Sequence, residues 1–410
     1  MQVEQRPYRS VYAYPWDLVD DGVGTFGARI EAAGAGAVSL AAAYHAGKFL
    51  RPHGKSGKVY FPEDGTVYFR HDPKHYQRVQ PLPNSMLDEH DPFAILADGL
   101  PELDRYAWVV CFHNTPLGRL HPDLVARNCF GDPYWYSLNP AHPEAREYVV
   151  ALCRDLASNY DLAGLRLETP GWLPFDHGYH HEFALIRLDG WIKLLLGLDL
   201  SEATVSAAAV DGIDVLHVRA RVAAAIESFL AGETALTDAQ AADWIASDLL
   251  ADPDLAEFLR WRCKVVADVV REIRDVVPAR TEVRVIPSVQ RPSAKGWIEG
   301  SDLRLLAEAC DGLEVCAYER SATDVLADIH QVRRQAGPDA RISAILRPSY
   351  PDLAGGADTV AAARILARHG VDGLAYYNDG HMRESYVHLA RTGFQAFDEV
   401  AEDMRAEGAR

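Results

Sequence analysis

Several things are scarce or missing in this chain of 410 residues, and each absence narrows the field. No run of 18 or more apolar residues occurs, so nothing in it reads as a membrane-spanning helix. Basic residues are outnumbered: 41 Lys and Arg face 59 Asp and Glu, a formal net charge of −18. Nucleic acids and anionic membrane surfaces are poor partners for such a chain, because both demand a cationic surplus. The six cysteines (Cys111, Cys129, Cys153, Cys263, Cys310, Cys316) form no CxxC and no paired zinc spacing, and are expected to be reduced thiols. The N-terminus lacks the apolar stretch of a secretory signal, so a cytoplasmic location is expected. A Gly-x-Ser-x-Gly nucleophile elbow is missing. The GxGxxG spacing at Gly22–Gly27 lacks an acidic residue closing the next strand, where Tyr44 stands, which argues against dinucleotide binding. No cofactor is expected.

What is present is an alternation of short apolar runs with amphipathic segments. Strands are expected at 11–14, 37–43, 107–112, 164–167, 282–286, 312–317, 341–346 and 373–377. Helices are expected at 24–33, 92–103, 143–158, 255–277, 303–309, 322–335, 358–369 and 384–404. Eight strand–helix units predict an α/β fold, a (β/α)8 TIM barrel, as a single catalytic domain spanning 1–410. Two long insertions interrupt it, after strands 2 and 4. Residues 44–91 contain 58–69, expected to be a hairpin turning at Asp64-Gly65. Residues 171–252 are helix-rich, with helices expected at 191–198, 218–229 and 238–250, and are expected to roof the barrel mouth.

The carboxyl ends of barrel strands face the ligand site. Here they carry Trp16-Asp17, Tyr44-His45, His113-Asn114, Glu168, Ser288, Tyr318-Glu319, Arg347 and Asn378-Asp379. Aromatic rings stack on the apolar faces of sugars, and Asp, Asn, His and Arg grip hydroxyls, so the set predicts a small carbohydrate substrate. Trp16, Tyr44, Trp172 and Tyr377 are the candidate stacking residues, and Tyr318 joins them at the mouth. Asp17, His45, His113, Asn114, Arg347, Asn378 and Asp379 are the candidate hydroxyl ligands. Glycoside hydrolysis needs two carboxyl groups in different roles, and Glu168 and Glu319, after strands 4 and 6, are the candidate pair. A purely structural alternative has Glu168 paired with Arg166 or Arg347; Arg166 is expected to face outward. The separation of His45 and His53 matches no metal motif, and the loop histidines His177, His180 and His181 are expected to be solvated or to cap helices, so no metal ligands are assigned.

Three stretches carry a resemblance: Ser137-Leu-Asn-Pro-Ala-His-Pro-Glu-Ala-Arg-Glu-Tyr148, Tyr160-Asp-Leu-Ala-Gly-Leu-Arg-Leu-Glu168 and Gly370-Val-Asp-Gly-Leu-Ala-Tyr-Tyr-Asn378. With them the chain resembles the (β/α)8 glycoside hydrolases, in particular the hydrolase-like barrels of bacteria. In barrels similar to α-galactosidases and α-glucosidases the nucleophile follows strand 4 and the acid/base strand 6. The resemblance therefore implies Glu168 as nucleophile and Glu319 as acid/base, although those groups mostly carry Asp on strand 4. The other large barrel group places Asn before its strand-4 acid/base and Glu after strand 7; Leu167 and Arg347 stand at those positions here. Two other functions use the same mouth: a metal-dependent sugar isomerase or epimerase, and a carbohydrate-binding barrel without catalysis. Monomer and homo-oligomer are both compatible with the sequence.

Overall fold

A computed structural model describes residues 8–177, 179, 181–353 and 355–408. Eight parallel strands close into a barrel: β1 (Tyr8–Ala13), β2 (Ala37–Tyr44), β3 (Asp104–Val110), β4 (Gly164–Glu168), β5 (Glu282–Ile286), β6 (Gly312–Cys316), β7 (Ile342–Leu346) and β8 (Gly373–Tyr376). Each pairs with its neighbour in chain order, and β8 returns to β1 in the register Tyr8↔Gly373 through Val11↔Tyr376. The expected barrel is thus present.

Side-chain parity along each strand builds two different layers. Val11, Leu40, Val109, Leu165, Leu167, Val285, Val315, Ala344 and Leu374 face outward and pack under the ring of helices as one apolar core. The opposite parity fills the barrel, where aromatic residues crowd the carboxyl end (Tyr12, Trp108, with Tyr14 and Tyr44) and charges occupy the amino half. Arg166 belongs to that interior. Glu168 lies two residues further along the same strand, so the two must share a face, and the expectation that Arg166 points outward fails on this parity. Its guanidinium is wholly buried, pairs with Glu314 and with Glu282 (3.0 Å), and lies over the Tyr106 ring at 4.0 Å. Tyr8 donates its hydroxyl to Glu314 at 2.9 Å. An isolated buried charge would be prohibitively costly, and this network supplies the partners.

One local expectation is also corrected. Segment 58–69 is not a hairpin: Val59–Tyr60 pairs with Phe49–Leu50, and Thr66–Val67 pairs antiparallel with Ala43 and Tyr44. Gly65 still turns, at φ +63°, but the turn hands the chain to the barrel edge instead of folding it on itself. Helices Gly190–Leu196, Glu202–Val210, Val215–Ala231 and Asp238–Ala251 make up most of the second insertion, and the set packs beside Pro253–Val276 on the outer ring. Its leading loop brings His177 to the mouth. An antiparallel pair not foreseen from the pattern, Val125–Arg127 with Pro133–Leu138, follows β3. Among the described residues, no helix is long and apolar enough to cross a membrane.

Candidate active site

Strand β4 ends in Glu168, and the chain then turns abruptly. Thr169 adopts φ +48°, a conformation a β-branched residue rarely tolerates, and Gly171 passes so close to Glu299 that an added Cβ would sit 2.0 Å from its carbonyl oxygen. The amide of Trp172 donates to that same carbonyl at 3.0 Å. Strain of this kind persists only where the surroundings enforce it, and it is common at functional sites.

Glu168 lines a cavity of about 620 Å3 at the barrel mouth, together with Glu319, Tyr12, Tyr44, Trp108 and Tyr377. The indole of Trp108, one strand away, donates its N–H to the Glu168 carboxylate. Burial pushes the carboxyl up to about 7 against the opposing effect of that hydrogen bond. Neither Arg166 nor Arg347 is its partner: Arg166 is committed to Glu314 and Glu282, and Arg347 to Asp352. The arrangement places Glu168, its carboxyl raised well above the usual carboxylate range, at the floor of an aromatic-walled cavity. Glu319 stands half-buried higher on the wall, where burial and then Asp328 raise its pKa.

Around this floor the hydroxyls of Tyr14 and Tyr377 lie 2.6 Å apart, and those of Tyr14 and Tyr44 3.1 Å. Tyr44, His45 and His113 stack in sequence, with centroid separations of 4.4 and 4.2 Å. His45 bonds through Nδ1 to the Ala46 carbonyl oxygen at 2.8 Å. His177 approaches from the second insertion, its ring 5.4 Å from that of His113. Burial and the nearby His45 push its pKa down to about 4, so it is neutral at physiological pH. His177 is therefore a half-buried wall residue, not the solvated loop residue expected; His180 lies outside the described residues. Among the described residues, no three His, Cys, Asp or Glu side chains gather as metal ligands. On the far wall Tyr318 is flanked by the Arg347 and Arg291 guanidiniums, 4.4 and 4.8 Å from its ring centre.

Of the fourteen residues expected at the site, Glu168, Glu319, Tyr44, His45, Tyr318, Arg347 and Tyr377 line this cavity. His113 sits behind His45 and next to His177. The remainder support the mouth from within. Trp16 stacks on Tyr14 at 4.3 Å, and Asp17 accepts from Arg51 at 2.5 Å. Asn114 caps the helix Thr115–Leu120 and holds the Gly65 carbonyl at 2.8 Å. Asn378 accepts from the Gly380 amide, and Asp379 pairs with Arg29 at 2.7 Å. Trp172, expected to stack on the sugar, is 1% exposed; its N–H goes to Asp199 at 3.1 Å and its ring lies over Arg262.

No family model matches the chain, and no curated protein matches it in sequence. Solved structures do resemble it in shape. The PgaB (BpsB) glycoside hydrolase domain from Bordetella bronchiseptica is similar over 92% of this chain and 95% of that one, at 16% identity and a TM-score of 0.59. α-L-Fucosidase isoenzyme 2 from Paenibacillus thiaminolyticus is similar over 96% of this chain, which spans 49% of that protein, at 13% identity and a TM-score of 0.53. The chain shares the (β/α)8 barrel of glycoside hydrolases. At such identities the likeness concerns the fold, and the chemistry must be argued from the residues.

Two site features had little signal in the sequence. Trp108 lies inside a strand, where the sequence pattern marks only core, yet parity places it on the same face as the interior residues. Glu299 could not be recognised at all. It sits in the Ser293–Glu299 turn, 1% exposed, accepting the Ser288 hydroxyl at 2.6 Å. Burial raises its pKa to about 8, and the charge of Glu168 adds to the rise.

Proposed function

We propose that this protein is a glycoside hydrolase that cleaves a glycosidic bond in an oligosaccharide, with Glu168 as the general acid. One observation carries the reading: a carboxyl at the end of β4, held by the Trp108 indole and pushed up to about 7 by burial, faces an aromatic-walled cavity large enough for sugar rings. An acid that must protonate a leaving oxygen near neutral pH needs this environment, whereas a nucleophile must stay ionised. Burial therefore supports the acid role over the nucleophile role that the strand-4 resemblance implies. Glu319, on the same cavity wall, is the second carboxylate in this reading. Tyr44 and Tyr377 offer ring faces and hydroxyls to the sugar, and His45 and Arg347 offer donors.

The test begins with nitrophenyl glycosides of glucose, galactose, N-acetylglucosamine, fucose and xylose in both anomers, to find a sugar that is turned over. For that sugar, kcat/KM should fall on the alkaline side with a midpoint near 7, as Glu168 loses its proton. A profile flat from pH 5 to about 9 would reject Glu168 as the acid.

A further inference from the structure

Beside the main cavity lies a second cleft of about 430 Å3, walled by Tyr134, Tyr136, Phe175 and Tyr179. Its platform comes from the strand Pro133–Leu138, which the sequence pattern did not foresee. Tyr134 and Tyr136 are two residues apart and so share one face of that strand. Their rings lie 5.9 Å apart with planes inclined by only 27°. The platform is pinned in place: the Tyr134 hydroxyl donates to the Leu196 carbonyl at 2.5 Å, and Ser137 bridges to His113. Across the cleft, Tyr179 is 47% exposed, accepts a hydrogen bond from Arg119 at 2.9 Å, and places its ring 6.2 Å from that of Tyr136.

A run of ring contacts links the linings of the two cavities. His177 lines the main cavity; His113 is 5.4 Å from it, and Tyr136 is 6.1 Å from His113. Each step is comparable with the span of one pyranose residue in a glycan. The rim of the cleft carries Glu182 and the Lys193–Asp176 ion pair of 2.9 Å beside the apolar side chains of Phe183 and Ile186. A wall of flat rings with carboxylates at its edge suits an occupant with one apolar face and hydroxyls around its perimeter.

We propose that this cleft is a further subsite, which holds another pyranose residue of the same glycan whose reacting bond lies beside Glu168. The proposal rests on the carbohydrate reading of the main cavity and deepens it: the substrate is a chain long enough to reach from Glu168 past His113 to Tyr134, not a disaccharide.

The test measures binding, not turnover. Titration calorimetry on the Glu168→Gln protein uses two probe series, cello-oligosaccharides and chito-oligosaccharides of two to six residues. Affinity should rise with chain length in at least one series. Adding Tyr179→Ala, an exposed position whose loss leaves the fold intact, should weaken the longest chain about two- to tenfold and leave the dimer unchanged, the loss expected for one stacking contact. Equal affinity at every length, or a length dependence that survives Tyr179→Ala, would overturn the subsite. The hydrolase reading fails separately: length-dependent, Tyr179-dependent binding by a parent protein that turns over no glycan would remove catalysis and keep the subsite.

Discussion

At the scale of single residues, the account turns on why a glutamate at a strand end should be an acid. Glu168 is half-buried and, among the described residues, receives a hydrogen bond from Trp108 and pairs with no cation, so burial outweighs the stabilisation of its charged form. That imbalance has a consequence for stability. The folded pKa, about 7, lies above the ordinary value of 4.5, so between these two the folded state holds more protons than the unfolded one. Stability then decreases as pH rises through this window. Glu168→Gln removes the ionisation and should match the parent below pH 4.5 while exceeding it by about 1–3 kcal/mol above pH 7. Urea unfolding at both pH values measures the difference, and an unchanged gap across the window would count against a perturbed carboxyl. Much of this residue was legible in advance, because a carboxylate followed by Pro-Gly after an apolar run marks a strand end. Its partner was not: Trp108 is 60 positions away and meets Glu168 through strand pairing alone.

At the scale of elements, the turn after β4 is the device that aims Glu168. It binds the strand end to the Ser293–Glu299 segment through the Trp172 amide and a close approach at Gly171. Gly171→Ala should drive a methyl group against the Glu299 carbonyl oxygen and cost about 1–3 kcal/mol. The displaced turn should lower kcat further than the stability loss alone explains. Thermal unfolding beside steady-state kinetics checks both, and a fully stable, fully active variant would show that the turn is dispensable. Strand periodicity anticipated the elements themselves within a few residues. It misjudged 58–69, because alternation at an Asp-Gly turn resembles a hairpin whether the two arms pair with each other or with separate partners. Trp172 was misjudged for a related reason: a large aromatic after a turn looks exposed until Asp199 and Arg262, from distant segments, enclose it.

At the scale of the whole molecule, the barrel divides its interior by chemistry. The amino half is an ion network in which Arg166, Glu282, Glu314, Arg284 and Asp372 satisfy one another across three strands and the segment before β8. The carboxyl half is aromatic and opens into the cavity. Arg166→Met should leave Glu314 buried without its cation and cost about 3–5 kcal/mol, with Arg166→Met/Glu314→Gln recovering part of the loss. Chemical denaturation of the single and double variants measures this, and additive losses would contradict the coupling. Eight strand–helix units could be counted in the sequence, which is why the barrel was legible. The charges inside it were not, because a barrel interior is expected to be apolar and only the closed sheet reveals which strands share a layer.

The central claim, that Glu168 protonates the leaving group of a glycosidic bond, is tested most directly by comparing leaving groups. For the sugar that the protein turns over, kcat of the parent and of Glu168→Gln is measured on the phenyl glycoside and on the 2,4-dinitrophenyl glycoside, whose departure needs no proton. A loss of about 10²–10⁴ on the phenyl glycoside, with far less loss on the dinitrophenyl one, is the predicted result. Equal losses on both, or none on either, would contradict it.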